Sequence, residues 1–409
     1  MNKRKIFNDP VYGFVSIPNE LVFDLIEHPY FQRLRRIKQL GLTHLVYPGA
    51  LHTRFHHALG AMHLLTQALE TLTYKGVAIT AEENEAVTIA ILLHDIGHGP
   101  FSHALEHSIA KGMHHEELSL LFMHELNAQF NGKLTLAIEI FTNQYHKHFL
   151  HQLVSSQLDM DRLDYLSRDS FFTGVSEGTI SSERIIKMLN VVNDELVIES
   201  KGIYSVENFI VSRRLMYWQV YLHKTVISAE NTLVNILKRA KELAGQGVQD
   251  LFASPPFHQF LYNNYTIDDF KNDKALLNLF AQIDDYDIMT SIKTWCNHSD
   301  FVLSFLSKCM VNRTLFKIEL RNEPFLDSYV EGYKQIIKTK FPNLTDHELS
   351  YFVFSSEVTN EIYRSDKVRI NISYKDGTIK DIAEASDQLN IAVLNKTVKK
   401  YFLCTAFSK

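Results

Sequence analysis

Residues 92–103 read Leu-Leu-His-Asp-Ile-Gly-His-Gly-Pro-Phe-Ser-His. The apolar residues leading into them, Ala86, Ile89, Ala90, Leu92 and Leu93, continue to Ile96 at spacings that cover more than half of a helix circumference, which predicts a helix inside the core. Thr80-Ala-Glu-Glu83 is a capping-box signature that opens this helix, and Gly97 with Gly99-Pro100 closes it. His94 and Asp95 are therefore expected on the last turn of a buried helix, where an unpartnered carboxylate is unfavourable. A divalent metal would resolve that cost, because a neutral imidazole nitrogen and an anionic oxygen on adjacent residues are both metal donors. Locally, metal binding and a purely structural polar pair stand as equal readings.

Outward from this stretch the chain reads as mainly α. Residues 4 to 17, with Asn8-Asp9-Pro10 and Gly13, suggest a short hairpin, and a helix from Asn19 stops at His28-Pro29. Apolar residues at 31, 34, 37 and 40 predict a helix with a basic outer face ending at Gly41, and another helix begins near Arg54 and runs past Leu72. Downstream, helices are expected over Phe101–Ile109, His115–Leu126, Leu150–Ser167 and from Ser205 to about Leu243, with a hairpin turning at Asn193-Asp194. Pro255-Pro256 breaks the pattern. Beyond it come further helices, one opened by the capping box Thr345-Asp-His-Glu348, and an alternating stretch Val368–Tyr374 turning at Asp376-Gly377. The expectation is a helical catalytic domain over 1–250, carrying a small N-terminal hairpin, and a smaller α+β lobe over 251–409.

Composition narrows the function. With 42 basic against 47 acidic side chains the formal charge is −5, so no global positive field advertises a nucleic-acid partner, and the basic stretch 31 to 38 is short. No segment approaches the length of a membrane span. Cys296, Cys309 and Cys404 are far apart and read as reduced thiols, which together with the absence of a leader pattern suggests a soluble cytoplasmic protein. Of 20 histidines, 16 fall in the first 151 residues, a bias that a metal or acid/base site would produce.

Candidate chemistry extends beyond His94-Asp95. His57, taken alone, reads more readily as structural than as a ligand. His103 and Glu106 are three apart on an expected helix and share a face, so the carboxylate could fix the imidazole's tautomer; an exposed polar face is the equal alternative. His115-Glu116 invites the same two readings. Arg54, Arg162, Arg168 and Arg213 carry forked donors suited to phosphate, although helical arginines mostly face solvent.

Taken together, Phe31-Gln-Arg-Leu-Arg-Arg-Ile-Lys-Gln-Leu-Gly41, Pro48-Gly-Ala, Arg54-Phe-His-His-Ala-Leu-Gly60, His94-Asp-Ile-Gly-His-Gly-Pro-Phe-Ser-His103 and Asp161-Arg-Leu-Asp-Tyr-Leu-Ser-Arg-Asp169 resemble the HD superfamily of metal-dependent phosphohydrolases, and within it the deoxynucleoside triphosphate triphosphohydrolase branch. The likeness spans about residues 4 to 320. It implies an HD-domain helical core in which His57, His94, Asp95 and Asp161 hold one divalent transition metal (iron, manganese, zinc, nickel or cobalt), with magnesium arriving on the nucleotide. It further implies that His98 contacts the α-phosphate and that His103, oriented by Glu106 and supported by His115, transfers a proton. Arg54, Arg162 and Arg213 would hold the triphosphate. Gln39 and Asp169 would read the sugar 3′-hydroxyl, and Leu40, Tyr165 and Tyr221 would form the sugar-base pocket. The products would be a deoxynucleoside and tripolyphosphate.

Relatives of this kind assemble as homo-oligomers, with nucleotide activators between subunits. Gln32, Arg35, Arg313 and Lys317 match activator positions, and Glu27 stands where a guanine-reading relative has Asp. A solvated helix face is the alternative for these five. Rival functions are another HD-type activity, phosphomonoesterase or phosphodiesterase, and a non-catalytic nucleotide sensor. Intact candidate ligands argue against the sensor.

Overall fold

The computed structural model describes residues 5–101, 112–360, 369–387 and 398–407. Helices dominate it. An N-terminal hairpin pairs Ile6–Asp9 with Gly13–Ser16, and Asn19 caps the helix Glu20–Glu27 by accepting from the Val22 amide. The two long helices Arg54–Tyr74 and Ala81–Leu93 form the centre of the core, the first packed against Met160–Thr173 and the second against Thr135–Phe141. Thr80 and Glu83 satisfy each other's backbone donors at the start of Ala81–Leu93, as its capping box predicts. Asn193 and Asp194 both adopt positive φ, 53° and 65°, and turn the hairpin Leu189–Val192/Glu195–Glu199.

Four expectations are corrected. Residues 31–40 do not form one helix: Pro29–Gln32 is helical, Arg33–Arg36 is a 3₁₀ turn, and Ile37 is extended. The apolar spacing of three is the 3₁₀ period, and 37–39 leave the turn to pair with 52–54, the Arg54 amide donating to the Ile37 carbonyl and the Gln39 amide to the His52 carbonyl. The helix expected over 150–167 is two, His148–Val154 and Met160–Thr173, because the Asp159 carboxylate caps the second and accepts from the Ser156 and Arg162 amides. The long helix from Ser205 is Ile203–Met216, a π turn Tyr217–Tyr221, and then Lys224–Gly245 capped by the His223 side chain. Finally, the helix expected to run through Ile96 ends three residues earlier, at Leu93, so that His94 is its C-cap and Asp95 lies beyond it. The helix expected over 101–109 lies outside the described residues.

The later part of the chain adds the helices Pro255–Tyr262, Asp285–Trp295 and Phe301–Val311, and a three-stranded antiparallel sheet in which Val398–Thr405 lies between Lys317–Arg321 and Val353–Asn360. It also returns to the first part, where Asn371–Ser373 pairs in parallel with Val197–Glu199. Gly377, at φ 85°, lets the chain reverse between Asn371–Ser373 and Ile379–Asp381. No helix among the described residues is long and apolar enough to cross a membrane.

Candidate active site

Three segments bring their side chains to one point. Thr53 and His56 form a capping box that fixes the start of Arg54–Tyr74, so Arg54 and His57, three apart, face the same way. Asp161 projects from the first turn of Met160–Thr173, and His94-Asp95 from the end of Ala81–Leu93. His57 Nε2 lies 3.4 Å from His94 Nε2 and 3.1 Å from Asp161 Oδ1, and His94 Nε2 lies 3.6 Å from that same oxygen. Asp95 closes the group, its carboxylate 3.5 Å from His94 Nε2 and 3.8 Å from His57 Nε2. Donors that each sit roughly 2.1 Å from one ion stand roughly 3–3.5 Å apart; His57, His94 and Asp161 converge closely enough to hold a single divalent cation, with Asp95 at the edge of that group.

The chemistry of the donors supports the same fit. His57 Nδ1 is 2.7 Å from Asp164 Oδ2, and His94 Nδ1 is 2.6 Å from the Ile91 carbonyl, which leaves both Nε2 atoms directed at the cluster. Burial opposes a charge on His57, yet hydrogen bonds and charges from Asp161 and Asp164 overcome it and push its pKa up to about 10. Burial would raise Asp161, but the two histidines hold it far below the usual carboxylate range. The cluster attracts positive charge. Asp95 is shared: one oxygen pairs with Arg54 and the other lies 3.3 Å from His98 Nε2, so it also belongs to a second donor group with His98 and His115.

Behind the cluster lies a buried ion-pair relay. Arg168 donates to Asp164 at 2.9 Å and to Asp9 of the N-terminal hairpin at 2.7 Å, and it is fully buried. Both carboxylates already hold it in place, so of its two readings, a phosphate grip or an ordinary solvent-facing arginine, neither describes it. Gly60 makes the relay possible: a Cβ there would come within 2.0 Å of Asp164 Oδ1 and 2.1 Å of Arg168 Nη2. Gly60→Ala is therefore expected to push Asp164 off His57, costing about 2 kcal/mol of stability by overpacking. Thermal melting and metal analysis of the purified variant check this; an unchanged melting temperature with full metal content would count against the relay.

His98 stacks on His115 with ring centroids 3.8 Å apart and planes 16° from parallel. Burial and the neighbouring Arg54 push the His98 pKa down to about 3, so this imidazole is neutral at physiological pH. Ser119 braces the turn by donating to the His94 carbonyl at 2.7 Å and accepting from the Gly97 amide at 2.9 Å. Close packing here needs Gly97, where a Cβ would come within 2.3 Å of the His115 carbonyl. His103 and Glu106 lie outside the described residues.

Eight residues beyond Asp161 on the same helix, Asp169 is buried and bound on both oxygens, by His52 Nε2 and by the Tyr221 hydroxyl, each at 2.7 Å. His52 stacks on Phe172. The Tyr221 ring meets Tyr165 edge-on at 6.2 Å and Tyr217 at 5.0 Å. The π turn Tyr217–Tyr221 carries both rings into this cluster. Gln39, with Leu40 half-buried beside it, holds its Oε1 in the interior without a hydrogen-bond partner among the described residues. Arg162 pairs with Asp159 and stands 4.0 Å from Asp161; Arg213 donates to Gln157 at 3.1 Å, its guanidinium 5.9 Å from the Tyr217 ring.

The residues read as activator contacts divide into two groups. Gln32 accepts from Arg35 at 2.8 Å, and the Arg35 guanidinium, 3.5 Å over the Phe55 ring, feels the charge of exposed Glu27. Arg313 binds the Leu45 carbonyl at 2.9 Å, and Lys317 is exposed on the strand Lys317–Arg321. No hydrogen bond or ion pair joins the two groups among the described residues. Sequence reading missed Asp164, Gly60, His52 and Tyr217 as parts of this site. Gly60 and Asp164 lie within the quoted motifs, but only the packing of two helices against each other gives them a purpose.

The HD domain family model matches residues 54–169, and the model of the HD-associated region matches residues 180–251. The protein YwfO of Bacillus subtilis, itself uncharacterised, is 33% identical over 94% of this chain and 88% of its own length. A Dictyostelium discoideum homologue of the deoxynucleoside triphosphate triphosphohydrolase SAMHD1 is 32% identical over 58% of this chain and 50% of its own length. The crystal structure of a phosphohydrolase from Bacteroides thetaiotaomicron superposes with a TM-score of 0.94 at 57% identity, covering 98% of this chain and 99% of that one. With its histidine-aspartate cluster on a helical core and these relatives, the chain belongs to the HD-domain phosphohydrolases.

Proposed function

We propose that this phosphohydrolase cleaves deoxynucleoside triphosphates to deoxynucleoside and tripolyphosphate. The observation that carries the reading is the arrangement along Met160–Thr173: Asp161 at the metal cluster and, about 12 Å along the axis, Asp169 held by His52 and Tyr221. That interval suits a pentose whose 5′-phosphate meets the cluster while its 3′-hydroxyl meets Asp169 and Gln39. Tyr221, with Tyr165 and Leu40, would pack against the sugar and leave no room for a 2′-hydroxyl.

In this reading His57, His94, Asp95 and Asp161 hold a divalent transition metal, whose chemistry is to polarise the α-phosphate and acidify water. Arg54, Arg162 and Arg213 balance the triphosphate charge, aided by magnesium on the nucleotide. Neutral His98 donates a hydrogen bond to an α-phosphate oxygen. Water oxygen attacks the α-phosphorus, the bond to O5′ breaks, and His103, oriented by Glu106 and supported by His115, delivers the proton to O5′. The catalytic unit is assigned to 1–250 and a smaller α+β lobe to 251–409, whose strand Asn371–Ser373 joins the sheet of Glu195–Glu199. Glu27, Gln32 and Arg35 with Arg313 and Lys317 are assigned to a nucleotide activator bound between subunits of a homo-oligomer, dimer or tetramer, which would unite the two separated groups.

The test is turnover of the metal-loaded protein on each deoxynucleoside triphosphate, its ribose counterpart and a phosphomonoester, with and without a second nucleotide. Deoxynucleoside triphosphates alone are expected to react; preference for the monoester would overturn the reading. Tyr221→Phe removes the hydroxyl that positions Asp169 and is expected to raise KM about tenfold while metal content holds, since one hydrogen bond to a charged group is at stake. An unchanged KM would separate Tyr221 from substrate binding.

A further inference from the structure

The start of the helix Asp285–Trp295 lies far along the chain from the cluster, yet it grips two segments that border the site. Asp285, 2% exposed, accepts from the Phe101 amide through Oδ1 and from the Lys38 amide through Oδ2, each at 3.0 Å. Lys38 Nζ stands 3.5 Å from the same Oδ2, and neighbouring Asp284 pairs with Arg36. Phe101 carries a φ of 50°, a backbone conformation that a bulky side chain adopts only when something holds it.

The two gripped segments serve opposite ends of the proposed substrate. Phe101 follows Asp95 by six residues and His98 by three on the turn that begins at His94. Lys38 precedes Gln39 and forms the bridge to Thr53, which sets His52 beside Asp169 and Arg54 beside Asp95. Within the described residues, Asp285 is the one side chain bonded to both backbones. A hydrogen-bonding side chain that only stabilised its own helix would accept from that helix's amides, as Asp284 does from Tyr286.

We infer that Asp285 is a positioning residue that holds the phosphate-side turn His94–Phe101 in register with the nucleoside-side strand 37–39, so that a bound nucleotide reaches the metal cluster in a reactive alignment. This inference rests on the nucleotide reading of the site. Its consequence is specific: misalignment slows a substrate that spans both segments and spares one that touches only the cluster. Displacement by about 1 Å can lower a rate about a hundredfold.

Asp285→Asn keeps the size and one acceptor but loses the second acceptor and the charge. On deoxynucleoside triphosphate its kcat is expected to fall about ten- to a hundredfold with KM within about threefold, while metal content and the rate on bis(4-nitrophenyl) phosphate, which has no sugar, stay at the wild-type level. Amide hydrogen exchange is expected to quicken at Lys38 and Phe101 together. Asp285→Glu retains the charge but displaces the acceptors, so it should show the same split and serves if the asparagine variant does not fold. Equal losses on both substrates, or kcat unchanged in folded metal-loaded variants, would overturn the inference and leave Asp285 a structural residue. A wild-type protein inert toward every deoxynucleoside triphosphate would overturn the nucleotide reading itself and this inference with it.

Discussion

His94→Ala is expected to empty the metal site and reduce phosphohydrolysis by at least about a thousandfold. The imidazole contributes one of the converging donors, its Nε2 3.4 Å from His57 Nε2 and 3.6 Å from Asp161 Oδ1, and its removal leaves the half-buried Asp95 and Asp161 carboxylates without one of their histidine partners. A catalytic metal supplies several kcal/mol of transition-state stabilisation, and each 1.4 kcal/mol is a factor of about ten, so the loss should approach background. Because His94 sits at the helix C-cap and its Nδ1 bonds a carbonyl of its own helix, that of Ile91, the fold should survive. Metal analysis beside circular dichroism and turnover reads the outcome. A folded variant that keeps its metal and its rate would remove His94 from the centre, and Asp95→Ala is expected to give the same loss.

Asp164→Ala should be nearly as damaging by a different route. Asp164 holds the His57 imidazole at 2.7 Å and neutralises Arg168, all three groups being fully buried. Removing it strands the Arg168 guanidinium with Asp9 alone, and breaking a buried pair typically costs about 3–5 kcal/mol. His57 would also lose the partner that fixes which nitrogen faces the metal, for which about 10- to 100-fold in metal affinity is the usual scale. The variant should therefore melt markedly lower and release metal to a weak chelator. Retention of wild-type stability and metal affinity would show that the relay from Asp9 through Arg168 to His57 has no influence on the centre.

The legible part of this protein was the part written in local sequence. Capping boxes at Thr80 and Thr345 and the Asn193-Asp194 turn depend on neighbours a few residues away, and each is found where its chemistry placed it. The four proposed ligands also meet, although His57 and Asp161 are ordinary residues in isolation and acquired meaning only from the surrounding motifs. Elements shaped by distant partners were not legible. Residues 37–39 are extended because they pair with 52–54, and the 203–245 helix is interrupted where the π turn brings Tyr217 and Tyr221 against Tyr165. The buried role of Arg168 was illegible for the same reason: its partners Asp164 and Asp9 lie 4 and 159 residues away, and no helical pattern announces the second.

Product identity tests the central claim most directly. Metal-loaded protein incubated with a deoxynucleoside triphosphate should yield the free deoxynucleoside and inorganic tripolyphosphate in equal amounts, seen by chromatography and phosphorus resonance, with no orthophosphate accumulating first. Formation of a deoxynucleoside mono- or diphosphate with release of pyrophosphate or orthophosphate would contradict the account, because it would leave intact the bond between the α-phosphorus and O5′ that the cluster and Asp169 are proposed to present for cleavage.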